Sequence, residues 1–233
     1  STICLVTSAF SSYSGCRQYR EDLERARSQV RDAPEIHKAR VFWNHPDFLG
    51  TAAELLADSR DAANLSKQTP VLHTAHSLPI SMAATSDYEH QLKEAAQIVH
   101  DLAGMEGTHE VVFQSRSGPP SVPWLEPNID TRLQQLAEDG ISEVVVHPLG
   151  FVADHMEVLC DLDVQASGIA EQAGMTMVRT PTVGTHPRFV AMMVDLVEEV
   201  AGLRDDRPAL GDAGPRPDVC SLNCCPAPSR PNN

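Results

Sequence analysis

A chain of 233 residues, 42% apolar and 21% charged, has room for one large domain or two small ones and a globular composition, which excludes wholesale disorder and collagen-like repeats. Its formal charge of −14, from 18 basic against 32 acidic residues, argues against general binding to nucleic acid or to an anionic membrane. No apolar run approaches the ~20 residues of a membrane span, and STICLVTSAF lacks the basic start and cleavage site of a secretory leader, so the cytoplasm is the expected compartment.

In chain order, Ile3–Ser8 predicts a short buried strand and Tyr13 to about Val30 a charged helix. Arg40–Trp43 fits a strand or the start of a helix. The next helix spans Phe48–Ala63, with Phe48, Leu49, Ala52, Leu55 and Leu56 on one face. A strand at Val71–Ala75 leads to a helix over Tyr88–Leu102. A strand at Val111–Ser115 leads to a helix over Ile129–Ala137, stopped by Gly140. The strand Glu143–Pro148 carries three consecutive valines and precedes a helix over Glu157–Ala173, stopped by Gly174. Met175–Arg179 is the last strand, and Phe189–Ala201 the last helix, stopped by Gly202.

Strands alternating with helices give βαβ units and a mostly parallel sheet, so the fold class is α/β. No GxGxxG or GxxxxGK[ST] follows any strand, which removes the main support for a nucleotide loop. Ligands of open α/β sheets sit at the carboxyl ends of the strands, here the loops from Ala75, Ser115, Pro148 and Pro181. Residues 204–233 are rich in Pro, Asp, Gly and Asn, lack periodicity, and form an expected tail with no core of its own.

The strand ends carry His76-Ser77-Leu78-Pro79, then Ser115-Arg116 and a Pro-rich stretch through Trp124, then Asp154-His155-Met156-Glu157. His76 and Glu157 thus project at one sheet edge, where imidazole and carboxylate can remove protons and guide a divalent cation. Alone, each has a plainer reading: a hydrogen-bonding histidine after a strand, and acidic capping of a helix start. Of the other histidines, His73 and His147 lie in strands and His186 in a loop, while His45, His90, His100 and His109 look like surface positions.

Three of the six cysteines, Cys220, Cys224 and Cys225, crowd into the tail. A reducing compartment favours a metal or cluster site there over a disulfide framework. Cys4 in a strand and Cys160 in a helix look like small core residues.

Together the stretches AHSLP, FQSRSGPPSVPWLEPNID, PLGFVADHMEVLCDLD and RTPTVGTHPRF resemble ferrochelatase, and TSAFSSYSGCRQYREDL resembles the corresponding segment of actinobacterial members, over roughly residues 3–203. The resemblance implies a chelatase-type, Rossmann-like architecture of two similar lobes. On that pattern residues 1–38 are the remnant of an incomplete first lobe, 39–203 the C-terminal lobe, and 204–233 the cysteine-bearing tail. It implies Fe²⁺ as substrate and coproporphyrin III as the ring, with His76 and Glu157 handling metal delivery and pyrrole deprotonation. Ser12, Tyr13, Ser115, Arg116, Trp124 and His155 become candidate pocket residues, with an ordinary packed aromatic as the plainer reading of Trp124 and a surface ion pair as that of Arg116.

The tail cysteines are similar to those of the subgroup with a [2Fe–2S] cluster, and its pattern points to Cys16 as the fourth ligand; a four-cysteine zinc site or an unligated tail are the competing readings. Contacts with other enzymes of haem biosynthesis are a further implied partnership. The chain opens at Ser1 and lacks the family's first βαβ units, which would leave Ile3–Ser8 without strand neighbours and make the isolated chain a poor catalyst. A chelatase for another metal or tetrapyrrole, and a porphyrin-binding chain without catalysis, are the alternatives.

Overall fold

The computed structural model describes residues 1–119 and 121–228; Pro120 of the Pro-rich loop and tail positions 229–233 lie outside the described residues. Strand β1 (Thr2–Cys4) leads through a π-wound turn at Tyr13–Arg17 into helix α1 (Gln18–Ser28) and strand β2 (Ile36–Lys38). β1 and β2 pair in parallel, with Ile3 opposite His37. The expected strand Ile3–Ser8 is therefore shorter than its apolar run and does have a neighbour, because β2 offers only three residues to pair with.

Helix α2 (Pro46–Ala62) follows, with Pro46 pre-set for the first turn and His45 as its cap, Nδ1 accepting from the Asp47 amide at 3.2 Å. His45 is thus fully buried rather than a surface residue. Arg40–Trp43 is neither strand nor helix but a buried connection between β2 and α2. Strand β3 (Val71–His76), the short helix α3 (Ile80–Ala83), helix α4 (Tyr88–Leu102) and strand β4 (His109–Gln114) form the next unit. Helix α5 (Ile129–Glu138), strand β5 (Glu143–His147), the single turn α6 (Met156–Val158), a π-wound stretch at Leu159–Ala166, α7 (Ser167–Gln172), strand β6 (Thr176–Arg179) and α8 (Pro187–Ala201) complete the body.

The main sheet has the order β4-β3-β5-β6, every pair parallel. Both faces are covered, which is why its strands carry apolar residues toward both sides. Val71, Ala75, Phe113 and Val145 belong to the core shared with α2, α4 and α8. Leu72, Val112, Val144 and Val146 belong to the core shared with α5 and residues 158–170. Phe10 packs edge-on against both Phe48 and Tyr88, so the residues after β1 share the first core.

Two further expectations change. His100 is buried near the end of α4, not at the surface. Cys160 is exposed, because it stands two residues from both Val158 and Leu162 and so on the side of the winding opposite their buried face.

The described part of the tail lies on the body through polar bonds, with Leu210 packed against the first core. Buried Arg40 makes a bidentate pair with Glu199 (2.7 and 2.9 Å) and donates to the Pro208 carbonyl at 3.1 Å. Arg207 reaches Glu199 at 3.3 Å and Asp218 at 2.7 Å. Asn44 donates to the carbonyls of Leu210 and Gly214.

Candidate functional site

From β3 the chain goes one way, through α4, to β4; after α5 it returns to the other side of β3 as β5. The connections diverge between the carboxyl ends of β3 and β5, and a crevice opens at such a point. His76 ends β3, and Glu157 stands in the turn α6 beyond β5. Their side chains meet with His76 Nε2 3.6 Å from Glu157 Oε1, 35% and 45% exposed.

His76 Nδ1 lies 2.6 Å from the Ser77 carbonyl, which can only accept, so Nδ1 carries a proton and, in the neutral ring, the lone pair is on Nε2, facing Glu157. At 3.6 Å the two groups are not hydrogen-bonded and leave room for a shared proton or cation. Tyr88 donates to the His76 carbonyl at 2.9 Å and the Ser77 amide to the Gln114 carbonyl at 2.8 Å, fixing the strand end.

The loop carrying Glu157 is held close to β3 by a contact that needs glycine. The Gly150 amide donates to the Thr74 carbonyl at 2.9 Å, and a Cβ on Gly150 would sit 2.6 Å from that of Ala75. Gly150→Ala is expected to cost about 1–3 kcal/mol, seen as a lower urea midpoint at unchanged slope, and to move Glu157 away from His76. Beyond it, Asp154 pairs with Arg179 at 2.7 Å, and Arg179 grips Asp163 of the π stretch in a fork.

The remaining pocket candidates fall in distinct places. His155 caps α6, its Nδ1 3.5 Å from the Val158 amide, with its ring edge-on to Phe151. Ser115 has a left-handed backbone (φ 62°) and donates to Asp161, which also receives Gln114 Nε2 at 3.2 Å. Sequence reasoning missed Gln114 and Asp161, whose contact joins the end of β4 to the π stretch across 47 residues. Arg116 folds back on its own loop, donating to the Val122 carbonyl at 3.2 Å. Trp124 lies over Gly118 and is stitched to the His76 loop, with Leu125 donating to the Leu78 carbonyl at 2.9 Å and Ile80 to that of Pro123 at 3.0 Å. Ser12 caps the first π turn through the Gly15 amide, and Tyr13 donates to Glu21 at 3.1 Å, which raises the phenol's pKa. Their loop borders the His76 loop, where Ser14 contacts Met82 of α3.

The cysteines form a second constellation. Cys16, Cys220, Cys224 and Cys225 line one small cavity with Arg17, Arg20, Lys38 and Asp218. Cys224 and Cys225 sulfurs are 3.4 Å apart, and Cys220 is within hydrogen-bonding reach of both Cys16 and Cys224. The bond from Cys220 lowers the Cys16 thiol to about 6 against its burial, helped by Lys38 and Arg20. Burial, followed by Cys224, raises Cys225 to about 12. Arg17 donates to the carbonyls of Leu222 and Cys224, and Arg20 to that of Cys220, so α1 and the turn before it hold the tail.

The family model described as ferrochelatase matches residues 1–201. A ferrochelatase of Rhodopirellula baltica is 44% identical over 96% of this chain and 64% of its own length. A coproporphyrin III ferrochelatase of Frankia alni is 46% identical over 97% of this chain and 62% of its own, and one of Streptomyces griseus 40% identical over 96% and 66%. The chain spans a little under two thirds of the length of the first two. Among solved structures, SirB of Bacillus subtilis with Fe³⁺ superposes with a TM-score of 0.54 at 12% identity, covering 85% of this chain and 71% of its own, a likeness of fold.

Proposed function

The chain belongs to the ferrochelatase family, and from that premise we propose that it serves the insertion of Fe²⁺ into coproporphyrin III to give coprohaem. One observation carries the reading: two bases, the Nε2 lone pair of His76 and the Glu157 carboxylate, face each other 3.6 Å apart at the sheet's switch point. Insertion breaks two pyrrole N–H bonds as Fe–N bonds form, with no change of iron oxidation state. His76 accepts one proton, or holds the ion while its water leaves; Glu157 takes the other proton and offsets the cation's charge. Both side chains reach solvent, where the protons depart.

The names of the actinobacterial relatives favour coproporphyrin as the ring. Its four carboxylates need local donors on an acidic protein, and Arg116 with Ser12 is assigned that part, joined by Tyr13 and Ser115 when their hydroxyls turn from Glu21 and Asp161, Trp124 forming a stiff wall and His155 the turn beside Glu157. Among the described residues no helix is long and apolar enough to cross a membrane. The work belongs, on this reading, to the cytoplasm, with contact to enzymes that supply the porphyrin and take the product.

The test is anaerobic. Fe²⁺ is mixed with the chain and either coproporphyrin III or protoporphyrin IX, and loss of the free-base visible bands is followed. Faster metalation of coproporphyrin is the expected result. Band shifts without metalation overturn insertion and leave tetrapyrrole binding; turnover with another metal only overturns iron.

The four cysteines fit a [2Fe–2S] cluster. Thiolates and cluster together are dianionic, and Arg17, Arg20 and Lys38 surround the cavity. All four sulfurs line one small cavity, and a single zinc would take the same four cysteines, so iron and sulfide content separates the two readings. The cluster's part here is to bind the tail to α1. Anaerobically purified protein is expected to be coloured and to hold iron and sulfide in equal amounts, and Cys16→Ser to lose both. Colourless protein carrying zinc would sink the assignment.

A further inference from the structure

Behind the His76 end of β3, on the sheet face toward α4, lie four histidines with no part in the chemistry above: His73 in β3, His100 near the end of α4, His109 at the start of β4 and His147 at the end of β5. Three of them, His73, His100 and His109, each offer a ring nitrogen within 4.8 Å of those of the other two. We propose that these three rings are a binding site for one divalent first-row transition ion, separate from the His76–Glu157 pair and from the cysteines, and independent of the function proposed above.

Three observations converge on it. The first is unsatisfied polarity. Nε2 of His73, Nδ1 of His100 and Nδ1 of His109 are buried without a hydrogen-bond partner among the described residues. Three orphaned nitrogens in one place are costly unless something fills the space between them.

The second is how the other nitrogen of each ring is held. His73 Nδ1 lies 2.9 Å from His147 Nδ1, opposite it in the strand register. His109 Nε2 lies 3.2 Å from Gln97 Oε1, an acceptor, and the backbone of Gly107 is in hydrogen-bonding reach of His100. Metal-bound histidines are commonly oriented in this way, one nitrogen on the ion and the other on a fixed neighbour. It leaves His109 with its proton on Nε2 and a lone pair on the orphaned Nδ1.

The third is spacing. Two imidazoles bound to one ion at about 2.0–2.1 Å hold their ring centroids about 4.5–5.5 Å apart. Here the centroids are 4.3 Å apart for His100 and His109 and 5.7 Å for His73 and His109, just outside the two ends of that span, so a shift of about 0.2 Å in each pair brings the rings onto one ion. An all-imidazole donor set suits Zn²⁺, Co²⁺, Ni²⁺ or Fe²⁺ and not Mg²⁺ or Ca²⁺. His109 is half-buried, which gives the ion a way in from the sheet edge.

An ion there would tie α4 and β4 to the central strand, since His100 and His109 flank the connection between them. It lies about 10 Å along β3 from His76, three residues at the rise of a strand.

The probe is Zn²⁺ alone, added to the chain with its cysteine site loaded and excess metal removed by dialysis. The expected result is one equivalent of zinc beyond the cysteine site, an anomalous-diffraction peak among the three rings, and a Tm raised by roughly 2–4 °C. His109→Ala, chosen because that ring is not fully buried, is expected to lose the extra equivalent and the Tm response, while His37→Ala, an exposed histidine elsewhere, keeps both. Equal zinc content in the parent and His109→Ala, or a map with no peak among the rings, overturns the site. Rates of porphyrin metalation enter neither criterion, so failure of the proposed activity and failure of this site are read separately.

Discussion

Fe²⁺ insertion is expected to fall by about 10²–10⁴-fold in His76→Ala, the usual worth of a positioned acid–base group, with coproporphyrin III affinity changed by less than about threefold. The split follows from the geometry. Nε2 of His76 presents a lone pair toward Glu157 and has no structural hydrogen bond to lose, while Nδ1 serves the chain by donating to the Ser77 carbonyl. Glu157→Gln keeps the shape of the side chain and removes its charge, and should lower insertion by a similar factor. Fluorescence titration gives affinity and band loss gives rate. A tenfold loss of affinity with an unchanged rate of insertion from the bound state would show that the pair binds the ring rather than moving protons. A double variant no slower than either single would show the two bases acting as one unit.

Arg40→Ala is expected to destabilise the protein by about 3–5 kcal/mol, because it strands the carboxylate of Glu199, only 1% exposed, without its fork of hydrogen bonds. Replacing both partners together, Arg40→Met with Glu199→Leu, should recover most of that loss, since a buried ion pair is worth little against well-packed apolar groups. Urea unfolding checks both. If the double variant is as unstable as the single, the Arg40 side-chain bond to the Pro208 carbonyl carries the effect instead.

The pair also sets a pH response. Burial pushes the Glu199 carboxyl up, but the hydrogen bond and charge of Arg40, with the charge of Arg207, outweigh it and hold the pKa below the ordinary range. A depressed folded value contributes stability that is complete above the unfolded pKa of about 4.3 and is lost as pH falls through the folded value. Below about pH 4 the midpoint should therefore drop more steeply in the parent than in the apolar double variant.

How legible this was depended on how local the determinant is. Strand ends, glycine stops and the meeting of His76 with Glu157 follow from short patterns: Gly140, Gly174 and Gly202 do take positive φ at helix ends. Arg40 does not read as buried, because the partner that makes its burial tolerable is 159 residues away. His45 and His100 carry no local sign of burial, since a neutral imidazole suits a surface and a packed interior equally well. Cys160 was misplaced on its residue type alone although it stands two residues from buried Val158 and Leu162, and Asp161 was missed because its partners Gln114 and Ser115 are 47 and 46 residues away.

The bond from Arg17 to the Cys224 carbonyl joins residues 207 positions apart. Closing so long a loop is entropically costly and is not rewarded until most of the chain is in place, so this contact belongs to the late side of the folding barrier. Interactions absent from the transition state act on the unfolding rate and leave the folding rate nearly untouched. Ligation at Cys16 and the tail cysteines would accordingly lengthen the lifetime of the native state without hastening its formation, making the tail a kinetic latch.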